Sequence, residues 1–218
     1  MRTIKDRSLY LIISEECCAG RSPLEIARAA VAGGVDILQM REKNRSLREL
    51  VALGNGLSGI CKSGGAMFIV NDDPALVRIV GADGVHLGQE DIRRFSLKMA
   101  REMIGPERII GLSTHSPGQF EKAMGEDIDY AAFGPVFPTK TKDYNIGTGD
   151  IARVAALARK PVFFIGGIEL SNVDEILGRG GRNIALIRGI TEAGDPEAMA
   201  RELKGRMIGP APAEAGKI

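Results

Sequence analysis

The stretch SPLEIARAAVAGGVDILQMRE, residues 22–42, carries two hydrophobic patterns back to back. Ser22 is a capping residue, and Pro23 suits the first helical position, where a missing N–H costs nothing. Apolar residues then recur at helical spacing until Gly33–Gly34, a stop signal. With no further spacer the chain enters VDILQMRE, a dense apolar run that fits a strand buried on both faces. That run ends abruptly in charge, at Arg41 and Glu42. A helix that feeds directly into a buried strand is the core of a βα unit.

The same alternation extends in both directions. Strand-like runs read SLYLII, AMFIVND, GVHLG, RIIGLST, DYAAFGPVF, PVFFIGG and NIALIRG, and helix-like segments such as SLRELVALGNGLSGICKSGG and ELSNVDEILGRGG lie between them. The strand-to-strand interval is about 20 to 30 residues, the size of a βα unit. Eight strand candidates, each followed by a helix candidate and with no break in composition, predict a single closed (β/α)8 TIM barrel. An open doubly wound sheet would want a Gly-x-Gly-x-x-Gly turn after its first strand, and LIISEECCAG has none. The segments do not resemble one another in sequence, so this is no solenoid repeat. One domain over residues 1–218 is expected, and the Pro-, Ala- and Gly-rich end, residues 208–218, reads as a flexible tail.

The chain has 218 residues, 44% hydrophobic and 26% charged, which fits a globular protein with a full core. With 29 Lys plus Arg against 28 Asp plus Glu, nothing draws it in bulk to nucleic acid or to a membrane. Charge-driven chemistry must be local, and the expected partners are small molecules. A homo-oligomer is left open by the sequence. The three cysteines, Cys17, Cys18 and Cys61, suit neither a disulfide framework nor a zinc ribbon and read as buried thiols. The N-terminal apolar run is too short, and too soon followed by acids, for a signal peptide; no run approaches a membrane span, so the cytoplasm is the expected location.

A barrel carries its active site at the carboxyl ends of its strands. There the sequence places Gln39, Arg41 and Lys43, then Asn71, Asp72 and Asp73, then His86, Gln89, Glu90 and Asp91. Ser113, Thr114 and His115 follow, then Thr139, Thr141 and Lys142 in GPVFPTKTKDYN, then Gly166–Gly167 and Arg188–Gly189. Arg41, Lys43 and Lys142 supply fixed cations, and Ser113, Thr139 and Thr141 supply hydroxyl donors, a set that suits phosphate oxygens. Asp72 and Asp91 would repel a polyphosphate unless a divalent cation lay between, and magnesium (Mg2+) is the usual bridge. Glycine turns after the last two strands expose backbone N–H groups for a second phosphate. The set implies two phosphorylated substrates, or one with phosphate at two ends. Each part alone has an ordinary reading. REK is a solvated charge run, Gly166–Gly167 a turn, and NDD a turn in which Asp73 caps the helix begun by Pro74. His86 fits a core or a site equally, and His115 fits a surface or capping position as well as a site.

QMREK, FIVNDD, DGVHLGQED, IIGLSTHS, DYAAFGPVFPTKTK and FFIGGI, in that order over roughly residues 8 to 190, resemble the thiamine-phosphate synthase (thiamin phosphate pyrophosphorylase) family. The resemblance implies a (β/α)8 fold and a magnesium-dependent transferase. Such an enzyme joins a hydroxymethylpyrimidine diphosphate to a hydroxyethylthiazole phosphate and releases pyrophosphate. It further implies that Arg41, Lys43, Asn71 and Lys142 hold the diphosphate and that Ser113 donates to it. Asp72 and Asp91 would bind the metal, and Gln39 would lie against the pyrimidine. Thr139 and Thr141, with backbone amides near Gly167, Ile187 and Arg188, would contact the thiazole phosphate. The family often has Ser where this chain has Arg188; a backbone donor survives that change. Three other functions compete, of which another phosphate-binding barrel, such as a sugar-phosphate epimerase, finds no support in the NDD and GQED segments. A thiazole tautomerase would need neither diphosphate nor metal and would rest on His115, and a non-catalytic thiazole-phosphate regulator would have a broken metal site.

Overall fold

Side-chain caps set five of the ten α-helix starts among the described residues. Ser46 accepts from the Glu49 amide while the Glu49 carboxylate accepts from the Ser46 amide, a capping box at the start of α2 (Leu47–Gly64). Asp73 accepts from the Ala75 amide ahead of α3 (Pro74–Ile79), as the NDD-Pro pattern predicts. Ser96, Ser116 and Asp195 cap α5 (Leu97–Ile104), α6 (Pro117–Met124) and α10 (Pro196–Ile208) in the same way. Ser22 holds the N-cap position of α1 (Pro23–Ala32) but makes no side-chain cap bond; there Pro23 sets the start. The remaining helices are α4 (Asp91–Arg94), α7 (Ile151–Leu157), α8 (Val173–Gly178) and α9 (Arg188–Thr191).

In the computed structural model, which describes residues 3–209, the strands are β1 (Leu9–Ile13), β2 (Ile37–Met40), β3 (Met67–Asn71), β4 (Gly84–Leu87), β5 (Ile109–Thr114), β6 (Tyr130–Phe133), β7 (Val162–Ile165) and β8 (Asn183–Leu186). Each pairs in parallel with the next, and β8 pairs with β1, which closes the barrel. Closure removes the open-sheet alternative. Of the expected tail, Ile208 is the last residue of α10 and Gly209 its cap, and residues 210–218 lie outside the described residues. Strand β6 is shorter than DYAAFGPVF suggests: it stops at Phe133, because Pro135 has no N–H to give the ladder.

Period-two alternation divides each strand between two cores. Leu9, Leu11, Leu38, Met40, Phe68, Val70, Val85, Ile110, Phe133 and Phe164 face the helices in the larger core. Tyr10, Ile12, Ile37, Ile69, Tyr130 and Phe163 fill the barrel interior. Tyr10, Tyr130 and Phe163 form a triangle of edge-to-face rings with centroids 5.2–5.9 Å apart. Room for Tyr130 comes from its register partner Gly111: a Cβ there would lie 2.1 Å from the Tyr130 ring. Cys17, Cys18 and Cys61 are buried thiols outside any disulfide, as expected. No helix of the described residues is long and apolar enough to cross a membrane.

Candidate active site

At the carboxyl end of the barrel the chain leaves each strand into a loop, and these loops enclose a cavity of about 340 Å³. Gln39, Arg41, Asn71 and Ser113 line it from β2, β3 and β5, and Thr139, Thr141, Lys142, Gly167, Ile187 and Arg188 line it from the β6–α7, β7–α8 and β8–α9 connections. Ten of the residues singled out in the sequence therefore line one cavity. Asp72 and Asp91 stand together just beyond it, close enough to hydrogen-bond, with Arg41 and Lys43 near enough to act on the Asp72 charge. Lys43 itself lines a neighbouring surface cavity with Glu15, Glu42 and Arg45.

Local backbone explains how the acidic pair is presented. Asp72 has φ 65°, in the left-handed region that Asp tolerates better than most residues. Its amide donates to the His86 carbonyl at 2.9 Å, tying the end of β3 to β4. Asp91 opens α4, and its Oδ2 accepts from the Gly88 amide at 2.7 Å. Partial burial, then the Asp91 carboxyl beside it, push the Asp72 carboxyl up to about 6, while Arg41 and Lys43 act the other way. A carboxyl whose ionisation a neighbouring carboxyl opposes, with cations adjacent, makes with that neighbour a hard-oxygen pair suited to a divalent ion. Among the described residues there is no group of three or more His, Cys, Asp or Glu that could hold a metal. A pair of carboxylates is the donor set expected for magnesium, which keeps waters and takes phosphate oxygens as its other ligands.

The opposite wall is built from backbone and hydroxyls. Gly166 and Gly167 have φ 102° and 63°, and a Cβ on Gly167 would come within 2.3 Å of the Pro138 carbonyl. These glycines let the β6–α7 loop lie directly on the end of β7. Thr139 and Lys142 pair across that loop, and the Thr141 amide donates to Thr139 Oγ1 at 3.3 Å. Arg188 is ion-paired with Glu192 at 2.9 Å, and its Nη1 donates to Thr141 Oγ1 at 3.3 Å, so its guanidinium ties the β8–α9 connection to the β6–α7 loop.

Both histidines line the cavity. His86 is also buried in the barrel, and that burial holds its imidazole down at about 4, hence neutral at neutral pH. It stacks on Tyr130 with centroids 5.5 Å apart. His115 Nδ1 lies 2.7 Å from the Gly134 carbonyl, and its ring meets Tyr144 edge-on. Sequence reasoning passed over Tyr10 and Tyr130, which read simply as members of apolar runs. The usable signal was alternation: it turns both inward, and a buried tyrosine hydroxyl requires a partner. Glu169 and Glu192 on the cavity wall had no sequence signal that separated them from ordinary surface acids.

Comparison with known proteins gives concordant results. The thiamine monophosphate synthase family (TMP-TENI) matches residues 9–190. A thiamine-phosphate synthase of Laribacter hongkongensis is 37% identical over 207 residues, covering 93% of this chain and 96% of its own. One from Thermus thermophilus is 39% identical over 210 residues, covering 92% and 97%. The structure of a thiamine phosphate pyrophosphorylase from Pyrococcus furiosus superposes with a TM-score of 0.83 at 32% identity, over 93% of this chain and 97% of that one.

Proposed function

The chain belongs to the thiamine monophosphate synthase family, and on that footing we propose that it is a thiamine-phosphate synthase that works by dissociative substitution at a magnesium-assisted site. In this reaction 4-amino-2-methyl-5-(diphosphooxymethyl)pyrimidine and 4-methyl-5-(2-phosphooxyethyl)thiazole give thiamine phosphate and pyrophosphate. The observation that carries the reading is the shared cavity. Gln39, Arg41, Asn71 and Ser113 meet Thr139, Thr141, Lys142 and Arg188 on one cavity, with the Asp72–Asp91 pair at its edge.

Asp72 and Asp91 would hold the metal, which when bound supplies positive charge to the diphosphate. Gln39 orients the pyrimidine. Arg41, Lys43, Asn71 and Lys142 hold the diphosphate, and Ser113 donates to it. The aminopyrimidine ring feeds electron density to its methylene carbon, so the carbon–oxygen bond breaks with its electron pair leaving on pyrophosphate. The thiazole nitrogen then gives its lone pair to that carbon. Thr139 and Thr141, with the amides of Gly167, Ile187 and Arg188, anchor the thiazole phosphate within reach. No protein nucleophile is required; the residues contribute orientation and charge placed before the reaction starts.

The test is incubation of purified protein with both phosphorylated precursors, with and without magnesium, followed by detection of pyrophosphate and thiamine phosphate. Product only when magnesium is present is the expected result, and Asp72→Asn or Asp91→Asn should raise the magnesium concentration needed for half-maximal rate. Full activity of both variants at low magnesium would remove the metal assignment. Interconversion of thiazole phosphate isomers without condensation would favour the isomerase alternative, for which His115 on the cavity wall is the candidate residue.

A further inference from the structure

Gln39 and Ser113 lie on different strands of the mouth, yet a continuous row of side chains joins them through the barrel interior. Gln39 Nε2 donates to Tyr10 Oη at 2.6 Å. Tyr10 Oη and Tyr130 Oη are 2.9 Å apart. Tyr130 Oη is 2.9 Å from His86 Nδ1, and His86 Nε2 is 2.9 Å from Ser113 Oγ. Gln39, Tyr10, Tyr130 and His86 are each at most 8% exposed, so water does not replace any link.

Hydrogen-bond arithmetic gives the row a direction. Tyr10 accepts from Gln39, so its own proton goes to the other atom in range, Tyr130 Oη. Tyr130 has then accepted one bond and must give its proton to His86 Nδ1. A neutral imidazole that accepts at Nδ1 carries its proton on Nε2 and donates to Ser113 Oγ. Ser113 oxygen is satisfied by His86, and its hydroxyl proton is left for the cavity. The mirror arrangement, with the Gln39 carbonyl facing Tyr10, reverses each bond and turns the Ser113 proton inward. The two cavity-lining ends are therefore coupled: a free amide oxygen at Gln39 accompanies a free hydroxyl proton at Ser113.

We propose that Tyr10, Tyr130 and His86 are positioning residues, a one-way row of donors that aims the Ser113 proton at the anionic leaving group while leaving the Gln39 carbonyl to accept from the pyrimidine amine. This rests on the synthase reading above, in which an amine donor and a diphosphate acceptor occupy those two places. The polarity of the row matches the polarity of that substrate. Packing supports a built arrangement, since Gly111 leaves the space that Tyr130 fills and Phe163 braces both tyrosine rings.

The first measurement is the nitrogen-15 NMR signature of His86 in the ligand-free wild type. Protonated Nε2 with bare Nδ1 is expected; the opposite tautomer overturns the proposal. The second is kinetic. Tyr130→Phe should lower kcat about tenfold with little change in KM, because one charge-assisted donor is misdirected and binding contacts stay in place. His86 should at the same time lose its single tautomer. Combined with Ser113→Ala, Tyr130→Phe should cost nothing further, since both act through one hydroxyl; fully additive losses, or wild-type kcat in Tyr130→Phe, overturn it. If Tyr130→Phe does not fold, Tyr10→Phe makes the same cut one link earlier. A wild type that yields no thiamine phosphate defeats the synthase reading itself, whereas an active wild type with the wrong tautomer defeats only the row.

Discussion

The two ends of the barrel treat charge in opposite ways. At the base, Asp36, Asp83 and Asp129 each stand one residue before an even-numbered strand and each exchanges a reciprocal pair of bonds with the preceding strand. Each carboxylate accepts from the amide of Leu9, Phe68 or Ile110, and each aspartate amide donates to the same residue's carbonyl. Asn183, the first residue of β8, makes a different link: its side chain accepts from the Ser8 amide and donates to the Val162 carbonyl, joining both neighbouring segments. Lys204 and Arg101 neutralise Asp36 and Asp129. At the mouth, Asp72 and Asp91 crowd each other, and the Asp72 backbone sits in a conformation few residues adopt. The base satisfies its polar groups across neighbouring strands and stabilises closure; the mouth arranges its polar groups around the cavity. Stability and reactivity are thereby assigned to opposite faces of the same eight strands.

That contrast can be broken at several points. The largest effect is expected at Arg41: Arg41→Ala should reduce kcat/KM on the order of 10²- to 10³-fold with a near-normal melting temperature. Steady-state kinetics beside calorimetry checks this, and the reverse pattern would make Arg41 a structural residue. Next comes acid. His86 is held at about 4 against an ordinary 6.5, so its neutral form favours the fold by about 3 kcal/mol at neutral pH. The folded value is the lower one, so this contribution is complete above 6.5 and disappears as the pH falls toward 4. Urea unfolding should show that loss over the interval, and His86→Gln should flatten it. Third, Asp129→Ala at the base should cost about 2 kcal/mol by stranding the Ile110 amide and loosening Arg101, while turnover at 25 °C stays unchanged. The smallest effect belongs to Arg206→Ala, which breaks an exposed pair with Asp174 and should alter stability by less than about 0.5 kcal/mol.

Much of the mouth is legible in the sequence. Strand runs ending in QMREK, NDD, STHS and the TKTK loop point their last residues to one face once the strands are parallel, and nine residues of those segments do line one cavity. The base was not read. Asp36, Asp83 and Asp129 look like ordinary turn residues, and only pairing with the neighbouring strand reveals what their carboxylates accept. The row through Tyr10 and Tyr130 escaped for a similar reason: its two hydroxyls are 120 residues apart in the chain.

By itself the sequence determined the alternation of helix and strand, the closed parallel barrel and the family, because periodicity, capping and short motifs are local properties written in consecutive residues. Only the tertiary structure decided which carboxyls crowd one another, which loops Arg188 bridges and which way a proton points along a row of buried hydroxyls. Those outcomes depend on distances across the barrel, and such distances are set when eight strands close on one another, not by the order of residues within any one of them.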